Sequence, residues 1–159
     1  MEKTNVMRIL DKNKIAYKSY SYAGTGALSG VEVAQALGQN PAQVFKTLVT
    51  VSKSRNHYVF MVPVAEELDL KKAAAAVGEK NVEMIKSKEL LPVTGYIHGG
   101  CSPIGMKKAF PVTLDSTAKN FDTIIFSGGK IGYQVETSVA GLERVVRLRL
   151  ADLTETQSS

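Results

Sequence analysis

The sequence predicts an α+β domain: a central mixed, mostly antiparallel, barrel-like sheet with helices at its periphery. Three observations lead there. Two apolar runs, VFKTLVTVS and YVFMVPV, flank a short polar connection as the arms of a hairpin. Helix starts and stops punctuate the first hundred residues. The second half is strand-rich, with GYIHGG, FPVTLDS, DTIIFSGG and YQVETS in close succession. Such a mixture of helices and hairpin-connected strands is characteristic of α+β architecture. A chain of 159 residues suits one domain with one core, assigned to 1–153, with a frayed polar tail over 154–159.

Taken in order, residues from Thr4 to about Asn13 form a short helix with Thr4 as cap and Val6, Ile9 and Leu10 on one face. IAYKSYSY alternates as a half-buried strand. AGTGALSG is a loop. Ser29 and Glu32 form a capping-box pattern that starts a helix ending at Gly38. Asn40-Pro41 opens a further helical turn before the lysine-bearing strand of the hairpin. LDLKKAAAAVG is a helix capped by Asp69 and stopped by Gly78. NVEMI is a strand or edge segment, and SKELLPVTG a brief helix broken at Pro92. After the strand-rich stretch, Ser138 caps VAGLERVV, and RLRL closes the domain as a strand with its arginines outward.

Composition narrows the function. No apolar run approaches the roughly 20 residues that span a bilayer, and the charged N-terminus MEKTNVMRILDKNK lacks a signal-peptide core. A soluble, cytoplasmic protein is expected. One cysteine, Cys101, excludes an internal disulfide and a multi-cysteine zinc site. His57 and His98 have no spacing for a shared ion, so no metal is expected. The net charge of +5 permits a polyanionic partner without requiring one.

Lys46 stands inside the apolar run VFKTLV. Lysine is seldom fully buried without a partner. Its ammonium therefore either snorkels to water or points into a pocket to meet an anion or carbonyl. Period-two geometry puts Val44, Lys46 and Leu48 on one face and Phe45, Thr47 and Val49 on the other. Two glycine pairs, in HGGCSPIG and FSGGKIG, offer either tight turns or converging amides that hold an anion. Neither fits a phosphate loop or dinucleotide fingerprint. Ser102 is not in a nucleophile elbow. Cys101 reads as a small core residue, and an extended segment would put it opposite His98. His57 reads as a solvated turn residue, and Lys107 and Lys108 as phosphate ligands or a solvated turn.

The segments VFKTLV, TGYIHGGCSPIGMKK, STAKNFDTIIFSGGKIGYQVE and GVEVAQALGQNPAQ occur together and in order. On them the chain strongly resembles the YbaK/EbsC group of the YbaK–prolyl-tRNA-synthetase-associated domain superfamily, from about residue 4 to 153. The resemblance implies a single domain with a partly barrel-like mixed sheet. It implies a cytoplasmic trans-editing deacylase that removes cysteine from Cys-tRNA(Pro), and also from Cys-tRNA(Cys), with no cofactor and no metal. Prolyl-tRNA synthetase is the partner implied. In the YbaK type the substrate's own thiol attacks its ester and leaves as a cyclic thiolactone, which suits a chain without a convincing nucleophile.

Carried over by motif, Lys46 matches the essential lysine, while Thr47, Gly99, Gly100 and Ser127 match positions lining its pocket. Tyr22 aligns with a pocket tyrosine, with Tyr20 the neighbouring choice. Ser29 departs from the pattern, standing where the YbaK type can carry a phenylalanine. Two other readings stay open: a water-using deacylase for another small aminoacyl-tRNA such as Ala-tRNA(Pro), and a non-catalytic tRNA- or synthetase-binding module.

Overall fold

The computed structural model describes residues 2–155. Helix α1 (Asn5–Lys12) starts where the Thr4 hydroxyl accepts from the Met7 amide at 3.3 Å, and it buries Val6, Met7 and Leu10. Strand β1 (Lys18–Ser21) leads into the small-residue loop. Helix α2 (Gly30–Ala36) opens on a full capping box: Ser29 Oγ accepts from the Glu32 amide at 3.2 Å, and Glu32 Oε1 from the Ser29 amide at 2.9 Å. Glycine is needed at 30, because a Cβ there would lie 2.5 Å from Val64 Cγ1. Asn40 caps a 3-10 turn at Pro41–Gln43.

Strands β2 (Phe45–Ser52) and β3 (His57–Pro63) form the expected hairpin, in register from Phe45↔Pro63 to Val51↔His57. In helix α3 (Leu70–Val77), Asp69 Oδ1 accepts from the Lys71 and Lys72 amides at 2.9 and 3.1 Å. The helix stops at Gly78, whose φ of 74° is left-handed. Replacing Asp69 with alanine is expected to cost about 1 kcal/mol, read as a lower urea midpoint. An unchanged midpoint would remove the cap from this account.

Strand β4 (Val82–Met84) precedes helix α4 (Ser87–Thr94), where the structure corrects the sequence. The helix runs through Pro92 and ends two residues later at Gly95, which adopts a φ of 85°. Proline removes one amide, whose acceptor would be the carbonyl of exposed Lys88. The Thr94 hydroxyl holds the last turn by donating to the Leu90 carbonyl at 2.7 Å. A second correction concerns GYIHGG, which is a turn and not a strand. There the Gly100 amide donates to the Ile97 carbonyl at 3.0 Å, and Gly99 turns the chain with a φ of 88°.

Strands β5 (Val112–Asp115), β6 (Ile124–Ser127) and β7 (Tyr133–Thr137) follow, then helix α5 (Val139–Glu143) and strand β8 (Leu148–Ala151). Ser138 caps α5 as expected. The order is β4-β2-β3-β5-β8 in a five-stranded sheet and β1-β7-β6 in a three-stranded one. Pairings β3–β5 and β5–β8 are parallel and the others antiparallel. The architecture is thus α+β with mixed sheets.

It does not close into a barrel. The two sheets meet at an isolated parallel bridge, Val44↔Ile125, and pairing cannot continue upstream because the chain turns away through Pro41–Gln43. Gln43 Nε2 reinforces this seam by donating to the Thr123 carbonyl at 2.9 Å. The main core lies between the sheets, with Phe45, Val49 and Met61 facing Phe126, Val135 and the helix residues Met7 and Leu142. The other face of the large sheet is covered by α3, through Phe60, Val62, Ala73 and Ala74. At the end of the described chain, Thr154 bridges Leu68 and the Glu155 amide donates to the Glu67 carbonyl. The rest of the polar tail lies outside the described residues.

Candidate active site

A pocket of about 350 Å³ opens beside the seam between the sheets. Tyr22, Lys46, Thr47, Gly99 and Ser127 all line it, so the fold brings together segments as distant in sequence as the loop after β1 and β6. Gly100 is not on its wall. That residue is buried, and its amide is already used within the turn. The SGGK turn likewise uses its amides internally: Gly128 donates to the Tyr133 carbonyl at 2.9 Å and Gly129 to Ser127 Oγ at 3.1 Å. Of the two readings of the glycine pairs, these three amides follow the tight-turn one.

Lys46 projects from β2, with its side chain 30% exposed. The nearest carboxylate is Glu67 Oε1 at 3.9 Å, on a side chain that is itself 79% exposed. Lys46 therefore both lines the pocket and keeps contact with water. No aspartate or glutamate is among the lining residues described. Lys46 is the one lysine or arginine among them, and the apolar walls come from Val33, Phe45, Met84, Ile85, Leu90 and Phe126. Next to Lys46, the Thr47 hydroxyl is buried with no hydrogen-bond partner. A buried hydroxyl without a partner costs about 1–3 kcal/mol, and this one lies on the face of β2 opposite Lys46, across from the core residue Met61.

The two tyrosines separate clearly. Tyr22 lines the pocket, whereas the Tyr20 hydroxyl donates to Glu136, which also accepts from Thr123. That bond, with partial burial, pushes the Tyr20 hydroxyl up to about 12. Tyr20 is a structural link between strands. Ser29 lies at the mouth of the pocket, where it also caps α2.

Cys101 is 9% exposed and belongs to the main core, yet it also reaches the pocket wall. Burial pushes its thiol up to about 12, so it stays protonated at neutral pH and is no nucleophile. His98 is exposed on the same pocket's edge. Cys101→Ala is expected to keep activity within about twofold, and alkylation of the native thiol by iodoacetamide to be slow at pH 7. Loss of turnover in a folded Cys101→Ala protein would reinstate a protein thiol.

Other candidates are structural. Ser102 is fully buried, and its Oγ accepts from the Ile104 amide at 3.3 Å. His57 is half-buried against Phe110, with ring centroids 5.4 Å apart, rather than solvated. Lys107 Nζ donates to the Pro92 carbonyl at 3.3 Å. No group of three metal-ligating side chains, and no helix long and apolar enough to cross a membrane, occurs among the described residues. Reading the sequence missed Gln134, which is 5% exposed and lines the pocket beside Ser127. Its only signal was a polar residue at an interior position of a short strand.

A family profile described as aminoacyl-tRNA editing domain matches residues 26–145, which contain the lysine strand, both glycine turns and every described pocket-lining residue except Tyr22. The chain belongs to the aminoacyl-tRNA editing domain family. Among relatives of this family, EbsC of Enterococcus faecalis is 44% identical over 154 residues, covering 96% of this chain and 94% of its own. EbsC is named for deacylation of Cys-tRNA(Pro) and Cys-tRNA(Cys). A crystal structure assigned to a trans-editing enzyme for prolyl-tRNA synthetase superposes with a TM-score of 0.80 at 26% identity, covering 94% of this chain and 92% of that one. The protein APE2540 shares the editing-domain fold, with a TM-score of 0.84 at 19% identity over 96% of this chain and 100% of its own.

Proposed function

We propose that the protein is a trans-editing aminoacyl-tRNA deacylase that clears cysteine from Cys-tRNA(Pro) and Cys-tRNA(Cys) in the cytoplasm. The observation that carries this reading is a pocket whose described lining includes Lys46 as its one lysine or arginine and no aspartate or glutamate, and whose one thiol, Cys101, is held protonated. The likeness to EbsC supplies the substrate class.

Lys46 anchors the aminoacyl end of the tRNA and offsets charge on the carbonyl oxygen as it becomes an oxyanion. Thr47 and Tyr22 hold the terminal ribose, and Ser127 and the Gly99 backbone bound the acyl group. The substrate thiol attacks its own ester carbonyl. The new S–C bond forms, the ester C–O bond breaks, and the ribose oxygen leaves with a proton while the amino acid departs as a thiolactone. Holding a thiol beside its own ester gives the large effective molarity of an intramolecular reaction. Prolyl-tRNA synthetase, by handing over its misloaded product, supplies the tRNA specificity that a pocket of this size cannot.

The deciding experiment is a panel of Cys-, Ala- and Ser-charged tRNA(Pro) with the purified protein. Preferential clearance of the cysteinyl form supports the reading. Clearance of none of them would leave a binding module.

A further inference from the structure

Gln134 and Gln39 form a pair that the chemistry above does not use. Gln134 lies in β7 directly across from Ser127 in β6, so the two side chains leave the same face of the small sheet, and both line the pocket. Gln134 is 5% exposed. Its Oε1 accepts from Gln39 Nε2 at 2.8 Å, while Gln39 Oε1 is buried without a partner. Hydrogen-bond accounting fixes which way the two amides point. Turning both over would bury the Gln39 NH2 without an acceptor, and orphaned buried N–H groups are rarer than under-satisfied carbonyl oxygens. Turning over only one would set two donors or two acceptors against each other. With its oxygen held by Gln39, the Gln134 amide presents its two N–H donors to the pocket.

We infer that the Gln134 amide donates a hydrogen bond to an oxygen of the aminoacylated terminal ribose, with Gln39 as the positioning residue that fixes its orientation. This rests on the deacylase reading. An N–H donor there suits the ester carbonyl or the free ribose hydroxyl, and it gives the small sheet a polar contact in the pocket that Lys46 lines from the large one. Gln39 sits just before the Asn40-capped turn that begins the seam, so the loop carrying it and the strand carrying Gln134 are locked together at the pocket.

The test compares wild type, Gln134→Leu, Gln134→Glu, Gln39→Leu and the Gln39→Leu/Gln134→Leu double variant. Each is assayed for kcat and KM on Cys-tRNA(Pro), for thermal midpoint, and for binding of a non-hydrolysable 3′-cysteinylamino-adenosine. Removing the donor and leaving a substrate oxygen unpaired is expected to lower kcat/KM about 10- to 100-fold in Gln134→Leu. Gln134→Glu, whose carboxyl donates only when protonated, should recover towards wild type as pH falls. Gln39→Leu should lose several-fold, and the double variant should be no worse than Gln134→Leu alone. A charged tRNA ending in 2′-deoxyadenosine separates the two acceptors: the wild-type advantage over Gln134→Leu vanishes if the ribose hydroxyl is bonded and persists if the carbonyl is.

Gln134→Leu within twofold of wild type overturns the inference. So does a Gln134→Glu rate that keeps a constant ratio to wild type across pH, a result that remains readable if the leucine variant fails to fold. Additive losses in the double variant overturn the role of Gln39. A wild-type protein that neither binds the analogue nor clears any charged tRNA overturns the deacylase reading and this inference with it. Active wild type with an equally active Gln134→Leu overturns this inference alone.

Discussion

Lys46→Ala is expected to lower deacylation of Cys-tRNA(Pro) about 10²- to 10³-fold, the usual loss for one donor aimed at a developing oxyanion, while the protein stays folded. The two halves of this expectation have separate origins. The ammonium is the lysine cation of a pocket that has no carboxylate among its described lining residues, so no neighbour takes over its charge. Stability should hardly change, because among the described residues the carboxylate paired with Lys46 belongs to the well-exposed Glu67. Exposed pairs of this kind are worth about 0–1 kcal/mol, and losing the partner leaves Glu67 in water. Single-turnover assays on a variant with a matched thermal midpoint measure the effect. Activity within a few-fold of wild type would remove Lys46 as the principal group of the site.

Cysteinyl-tRNA(Pro) should be cleared far more than about 200-fold faster than the alanyl and seryl forms. Pocket contacts alone discriminate such small differences by roughly 10–200-fold, so a larger gap has to come from chemistry. Serine is the sharper comparison, since it keeps the shape and replaces only the nucleophile. A thiol is a few per cent thiolate at pH 7, whereas an alcohol needs a base to activate it. The enzyme-dependent rate on the cysteinyl form should therefore rise about tenfold per pH unit and level off near the thiol's ordinary pKa of about 8.5. The sign follows from the reactive species: raising pH deprotonates the substrate thiol, while Cys101, held up near 12, contributes no titration in this range. A thiolactone trapped by mass spectrometry would identify the product. Equal rates on alanine and cysteine without thiolactone would mean that water attacks, with the small Ser29 at the pocket mouth leaving room for it.

Local signals carried much of the fold. The Ser29–Glu32 box, the Asp69 cap and the Gly78 stop depend on a few neighbouring residues, and each is found where the pattern put it. What failed needed distant information. Pro92 looks like a helix breaker until the chain shows that the acceptor it deprives is exposed. GYIHGG has strand-like residues but no neighbouring strand to pair with. Barrel closure depends on whether pairing extends past Val44, which alternation within one strand cannot reveal. At the site, motif resemblance singled out Lys46, Thr47 and Ser127, and it preferred Tyr22 to the neighbouring Tyr20 on alignment alone. The bond from Tyr20 to Glu136 makes that distinction. Gln134 went unseen because its significance comes from its register with Ser127 across the β6–β7 pairing and from Gln39 far upstream.

The seam at Val44 and Ile125 makes activity a late event in the life of the chain. Lys46 and Thr47 reach the pocket on one sheet, and Ser127 and Gln134 on the other. Neither sheet holds the site alone, so no contiguous fragment ending before β6 could edit a tRNA, even with the β2–β3 hairpin fully formed. Pairings between remote segments close slowly because the loop entropy must be lost before the contacts form. During synthesis from the ribosome, the lysine strand emerges and can pair with β3 long before β6 and β7 exist. The enzyme is therefore inert until nearly the whole domain has been made, and its first competent pocket coincides with the docking of the two sheets.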